Sequence, residues 1–353
     1  MQTWPRAILH LDMDAFFVNV HILSHPEDGS IPLVVGGQPQ NRGVVASASY
    51  EARKMGIHSA MPTKTAVHLC PHLKIVSTDW QQIHRRSRQV MALLGDYGPV
   101  EQMSVDEAYI GLSECDNPEK VAVEIQTAVK TKTSLPCSVG LATSKLVAKV
   151  ASDHDKPEGC TIVPPGDEAT FLAPLPTRAI WGIGPKTAAK LAGLDITTCG
   201  QLAAADLLTL RRVAGNQAES LQQRAAGIDD RPVQPDHGLP KSISQEWTFN
   251  EDVGDADILG AQLQKMCGRV AQSLQKRQLI AYTVTVKFRW ADFTTYTRQK
   301  SVAVGFDDAE TLFAMAYAVW AEHWPPDKKL RLLGVGVSKL EKPQLRQLGF
   351  DFN

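Results

Sequence analysis

The feature that most restricts how this chain can fold is an apolar run that stops on acids. Ala7–Leu11 is apolar apart from His10 and reads as a buried strand, yet it leads at once into Asp12 and Asp14. A second acidic pair, Asp106-Glu107, sits in the middle of Val100–Leu112, a block that reads as two strands or one long bent strand. Alternation points Asp12 and Asp14 to the same side. Burying like charges costs several kcal/mol unless cations compensate. Two divalent metals would do so, with carboxylates and phosphate oxygens as donors. A turn acid at Asp12 beside an ion-paired couple at 106 and 107 is the competing reading. Chemistry alone leaves both open.

The rest of the chain supplies a frame for these acids. Pro32–Val35 and Ser138–Ala142 read as strands; Tyr50–Met55, Pro62–Leu69 and Gln81–Leu94 read as helices. Ser144 to about Ser152 is a further helix, capped by Thr143 or Ser144, with Leu146, Val147, Val150 and Ala151 on one face. Strands and helices alternating in this way give an α+β first unit. Phe171–Ile228 is short, Ala/Leu-rich and helical, and Arg231–Pro240, with three prolines and a glycine, is the best linker. A third unit follows, with strands at Trp247–Phe249, Ile280–Trp290, Tyr296–Val304 and Leu330–Leu340 and helices at Ile258–Leu274 and Asp308–His323. In it Tyr282, Val284, Val286 and Phe288 alternate with Thr283, Thr285, Lys287 and Arg289, which predicts one basic or polar sheet face.

Charge is nearly balanced over the 353 residues, with 37 Lys plus Arg against 38 Asp plus Glu. The balance hides a local excess, because Leu259–Val304 carries eight basic residues and one acid, Asp292. That window suits a phosphate-facing surface, and equally a solvated face balanced by acids elsewhere. The six cysteines are scattered without a Cys-x-x-Cys pair, and read as reduced, packed thiols. No apolar run approaches the roughly 20 residues that span a bilayer, and the first residues lead straight into a strand. A cytoplasmic protein without membrane association is expected.

Four motifs, taken in order, resemble those of Y-family DNA polymerases. They are Leu11-Asp12-Met13-Asp14-Ala15-Phe16-Phe17, Ala48-Ser49-Tyr50-Glu51-Ala52-Arg53, Ser104-Val105-Asp106-Glu107-Ala108-Tyr109 and Lys156-Pro157-Glu158-Gly159. The likeness runs from about residue 6 to 340 and is strongest to the bacterial DNA polymerase IV branch. It implies a template-directed, translesion DNA polymerase of low fidelity without proofreading, acting on primer-template DNA and deoxynucleoside triphosphates. The implied fold is an α+β right hand with a ferredoxin-like palm (1–14 and 79–164), small fingers (15–78) and a helical thumb with a helix-hairpin-helix (165–232). A linker (233–240), an α/β little finger (241–341) and a tail (342–353) complete it.

The same resemblance implies roles for single residues. Asp12, Asp106 and Glu107, with the Met13 carbonyl, would hold two Mg²⁺ ions, for which Mn²⁺ could substitute; Asp14 would be structural. Tyr50, Arg53 and Lys156 would grip the triphosphate, Ser47 would touch phosphate, and Phe16 would line the nucleotide site. Phe17 would be the steric gate against a 2′-hydroxyl. Gly37, Val44 and Ala46 would roof the nascent pair loosely. Ala15 and Ser144 depart from residues common in relatives, Ser144 still being able to cap its helix.

Trp181-Gly182-Ile183-Gly184-Pro185-Lys186 looks like a helix-hairpin-helix, in which Gly182, Gly184 and Lys186 would meet DNA phosphate. Ala214-Gly215-Asn216-Gln217 is a candidate degenerate second copy. Lys287, Arg289, Arg298 and Lys300 are the expected DNA contacts of the basic window. Gln347, Leu348, Phe350 and Phe352 resemble a sliding-clamp peptide, against the alternative of an ordinary frayed terminus. The protein is expected to act as a monomer. A nucleotidyl cyclase, which would need no helix-hairpin-helix, and a catalytically silent DNA-binding scaffold are the competing functions.

Overall fold

A computed structural model describes residues 3–236, 238–325 and 328–343. From the N-terminus the elements are β1 (Ile8–Met13), α1 (Phe16–Ile22), β2 (Leu33–Gly36), β3 (Val45–Ala48), α2 (Tyr50–Lys54), α3 (Thr63–Leu69), β4 (Lys74–Val76) and α4 (Trp80–Leu94). Then follow β5 (Val100–Gln102), β6 (Glu107–Gly111), α5 (Pro118–Thr133), β7 (Cys137–Ala142), α6 (Lys145–His154) and β8 (Cys160–Ile162). Helices α7 (Glu168–Leu172), α8 (Pro185–Ala192), α9 (Cys199–Ala204), α10 (Leu207–Ala214) and α11 (Ala218–Ala225) come next. The chain closes with β9 (Ser242–Val253), α12 (Ala256–Arg277), β10 (Ile280–Trp290), β11 (Thr295–Phe306), α13 (Ala309–His323) and β12 (Leu330–Glu341).

Contacts divide these elements between two compact units, one made of Met1–Gly37, Val44–Met61 and Thr65–Asp236, the other of Gln38–Gly43, Pro62–Lys64 and the chain after Asp236. In the first unit, β5-β6-β1-β7-β8 form a five-stranded sheet with β1 at its centre. Its core is Leu9, Leu11, Ile110, Val139 and Leu141, covered by Ile83, Val90 and Leu94 of α4 and Ile125 and Val129 of α5. The other side is covered by α6, which packs so closely that a Cβ on Gly140 would lie 2.2 Å from the Ala148 carbonyl oxygen. Only glycine tolerates that approach. Ser144 caps α6, its hydroxyl accepting from Val147 N at 3.3 Å. A three-stranded sheet β3-β2-β4 completes the α+β part.

Both expectations about the acids need correction. The first strand runs on through Asp12 and ends at Met13, so Asp14 lies beyond it and does not share the environment of Asp12. Ala15 adopts a left-handed φ of 41° and turns the chain straight into α1. The second pair is not inside a strand either: Asp106 lies in the turn between β5 and β6, and only Glu107 begins a strand. The Ser104 hydroxyl accepts from the amides of Asp106 (3.1 Å) and Glu107 (3.0 Å), a local bond that diverts the backbone from ladder pairing.

In the second unit the sheet order is β11-β10-β12-β9, antiparallel throughout, with α12 and α13 over one face. The strand expected at Trp247–Phe249 extends over Ser242–Val253. Alternation along β10 holds from Val284 onward, but a bulge between Ala281 and Thr283 reverses it upstream. Thr283 is therefore buried and bonds Ser301 Oγ at 2.9 Å, while Tyr282 leaves the apolar face. Among the described residues, no helix is long and apolar enough to cross a membrane.

Candidate active site

Strand register assembles the acids. Asp12 stands across from Glu107 on β6 and Ser138 on β7, and Met13 N donates to the Asp106 carbonyl oxygen at 3.0 Å. One cleft takes in Asp12, Met13, Phe16, Phe17 and Asp106. Its other walls are Ser47, Tyr50, Arg53 and Lys156, so the residues expected to bind metal, sugar and triphosphate share a single opening, Glu107 excepted. Ser59 also lines it and carries no signal in the sequence.

The acids are held quite differently from one another. Asp14 is fully buried and accepts from Ser138 Oγ (3.0 Å to each oxygen), Glu158 N (2.8 Å) and Tyr50 Oη (3.1 Å). It braces the cleft and offers little to a ligand. Asp12 meets Lys156 Nζ at 2.8 Å, and the same ammonium meets Asp153 at 2.8 Å. Burial raises the Asp12 carboxyl to about 6 against the opposing pull of Lys156. Asp106 accepts from the Ser104 hydroxyl.

Glu107 points elsewhere. Its carboxylate takes a hydrogen bond from His10 Nε2 at 3.2 Å and pairs with Lys149, and it lines a neighbouring cleft with Lys145, Arg178, Trp181 and Arg231. The His10 bond, reinforced by Lys149, holds its acid down at about 2 although burial opposes the shift. His10 itself is wholly buried, and desolvation lowers it to about 4, so the ring is neutral near pH 7 and Nε2–H is the donor. The sequence marks His10 only as a polar interruption of a strand. Lys149, Asp153 and the buried pair Lys145–Glu101 (2.6 Å) are equally silent there, because their partners lie on other elements.

Hard-oxygen donors suit Mg²⁺ or another small divalent cation, and Asp12 and Asp106 fit that chemistry. Among the described residues, however, no three His, Cys, Asp or Glu side chains are grouped closely enough to cage a metal as they stand. Lysine ammonium groups balance the acids instead. Like-charge repulsion is thus partly relieved within the protein, by Lys156 at Asp12 and Lys149 at Glu107.

The residues expected to grip phosphate are preorganised. Ser49 caps α2, and Tyr50 and Arg53 lie one turn apart with the guanidinium 4.7 Å over the phenol ring. Arg53 Nε donates to the Ala48 carbonyl at 3.1 Å, and burial raises the Tyr50 hydroxyl to about 12, keeping it a donor. Phe16 is buried, whereas the half-buried Phe17 presents its ring at the cleft.

The remaining expected contacts divide. Gly182 has φ +95°, and Gly184 precedes α8 with open space around it, leaving backbone and Lys186 accessible. Gly215 (φ +56°) lies between α10 and α11. On the C-terminal sheet, Lys287 and Arg289 stand across from Thr297 and Thr295, but Arg298 and Lys300 stand across from the core residues Val286 and Val284. Residues directly opposite share a face, so the four cations lie two on each side of the sheet. Gln347, Leu348, Phe350 and Phe352 lie outside the described residues.

Residues 11–153 match the impB/mucB/samB family, residues 240–350 the impB/mucB/samB family C-terminal domain, and residues 165–196 the IMS family HHH motif. A DNA polymerase IV of Dehalococcoides mccartyi is 40% identical over 98% of this chain and 90% of its own length. One of Halorhodospira halophila is 38% identical over 98% of both chains. In fold, a Y-family DNA polymerase chimera of Dbh and Dpo4 superposes with a TM-score of 0.84 at 24% identity, covering 96% of this chain and 100% of the other. An insertion ternary complex of Dbh DNA polymerase gives 0.68 at 24% identity, covering 94% and 98%. The chain belongs to the impB/mucB/samB family and, within the Y-family DNA polymerases, to the DNA polymerase IV branch.

Proposed function

We propose that this chain extends a primer on damaged templates as a translesion DNA polymerase, adding deoxynucleotides with two Mg²⁺ ions held by Asp12, Asp106, Glu107 and the Met13 carbonyl. The observation that carries this reading is the single cleft containing Asp12, Asp106, Phe17, Tyr50, Arg53 and Lys156. Divalent cations there would lower the pKa of a primer 3′-hydroxyl and hold the α-phosphate in line. Tyr50, Arg53, Lys156 and Ser47 bind the triphosphate and offset charge on the departing pyrophosphate. Phe17 closes the space a 2′-hydroxyl would need. His10 and Lys149 keep Glu107 ionised, and its carboxylate would turn from them to reach a metal held by Asp12 and Asp106.

The parts divide as palm (1–14 and 79–164), fingers (15–78), thumb (165–232), linker (233–240), little finger (241–341) and tail (342–353). Gly182, Gly184, Lys186, Lys287 and Arg289 bind duplex phosphate, and the protein works as a monomer in the cytoplasm. Primer extension across single lesions tests the whole reading. The wild type should extend a primed template with Mg²⁺, and Asp106→Ala should not; template-free synthesis by the wild type would favour a cyclase-like activity. Gln347, Leu348, Phe350 and Phe352 dock on a sliding clamp, so removal of 342–353 should spare basal extension and abolish stimulation by clamp. Undiminished stimulation would remove the tail from the mechanism.

A further inference from the structure

Phe17 borders two spaces: the cleft with Asp12, Tyr50 and Asp106, and a second, small cavity lined by Val20, Val35, Gln82 and Ile83. A ring that borders free space can recede into it when something presses from the cleft. Its position therefore depends on what touches it from the side. Trp80, the first residue of α4, meets Phe17 edge-on, with centroids 5.6 Å apart and planes at 78°. His84, one turn later, stacks on the same indole at 5.6 Å and 28°. Trp80 is 55% exposed, unusual for so large an apolar side chain, and it contributes to neither cavity wall. One ring meets it on each side.

We infer that Trp80 is a specificity-determining positioning residue: braced by His84, it holds the Phe17 ring forward in the nucleotide cleft and so sets how strictly a 2′-hydroxyl is refused. This deepens the assignment of Phe17 as the steric gate and rests on it. An edge-to-face aromatic pair favours one ring position over a receded one by a factor of roughly three to ten. A ribonucleotide selects the receded position and a deoxynucleotide does not require it, so the change appears in the ratio between them.

The test is the ratio of kcat/KM for ribonucleoside and deoxynucleoside triphosphates on one primed template, for the full chain with Mg²⁺. Trp80→Ala should raise the ribonucleotide share about three- to tenfold, Trp80→Phe should return it near the wild-type value, and Phe17→Ala should exceed both. A rise in Phe17→Ala with none in Trp80→Ala overturns the role of Trp80 alone. Equal losses for both sugars in Trp80→Ala would mark a merely structural residue and overturn it too. No rise in Phe17→Ala overturns the gate assignment itself, and this inference with it.

Discussion

In the five-stranded sheet, charge sits at strand ends and is met at close range by opposite charge or by donors. Asp12 faces Lys156, Glu107 meets His10 and Lys149, and Asp14 is enclosed by Ser138, Tyr50 and a backbone amide. In the four-stranded sheet, charge runs along the strands and faces water. There Lys287 pairs with Glu246 at 2.8 Å, while Arg289, Arg298 and Lys300 make no ion pair among the described residues. The contrast separates two ways of handling anions. Desolvated, mutually oriented groups discriminate between chemical species and tolerate little displacement. Solvated cations attract any polyanion, weaken with salt and carry no sequence information.

The largest effect should come from the closed region. Asp12→Asn or Asp106→Asn should lower single-turnover nucleotide incorporation by about 10³-fold or more, with DNA affinity nearly unchanged, because each removes a charged donor at the reacting phosphate. A loss below tenfold would mean that this cleft is no more specialised than the sheet. The open region should respond to face rather than to charge count. Lys287→Ala with Arg289→Ala should weaken duplex binding roughly tenfold at low salt and reduce the log–log salt slope by about one per cation. The companion pair Arg298→Ala with Lys300→Ala should leave the slope near wild type if duplex lies on the polar face. Equal slopes for both double variants would show that the sheet binds by either side.

The smallest effect tests enclosure itself. Glu107 has its acid lowered from 4.5 to about 2, so its hydrogen bond from His10 and its ion pair with Lys149 stabilise the fold fully above 4.5, and that contribution fades as pH falls toward 2. Glu107→Gln should therefore cost on the order of 1 kcal/mol at pH 7, after allowance for solvent screening, and progressively less below pH 4.5. Denaturant melts at pH 7 and pH 3 measure it, and a pH-independent difference would mean that packing, not charge, is lost.

Most element positions were legible because local patterns act over a few residues. Ile280–Trp290 appears with the bounds its alternation predicts, and the α6 stripe of Leu146, Val147, Val150 and Ala151 is buried as its spacing requires. The composition of the candidate nucleotide cleft was legible for another reason: three of the four short motifs each place two or more of the expected side chains close together and the fourth supplies Lys156, so few relative positions had to be known. Illegible were Lys149 and His10 on Glu107, Lys145 against Glu101, and Trp80 beside Phe17. Each of these contacts joins elements more than 40 residues apart, and no periodicity encodes such a meeting.

Residue order alone thus settled which stretches become strands and helices, and which acids, cations and aromatic rings are available for chemistry. The folded chain settled what each of them touches. A break in register against β11 left Thr283 buried and Tyr282 only partly so, register put Arg298 and Lys300 across from Val286 and Val284, and a serine hydroxyl lifted Asp106 out of its strand. Backbone preferences are properties of neighbours in sequence, whereas charge pairing and facing depend on hydrogen-bond register and helix-on-sheet packing between distant segments.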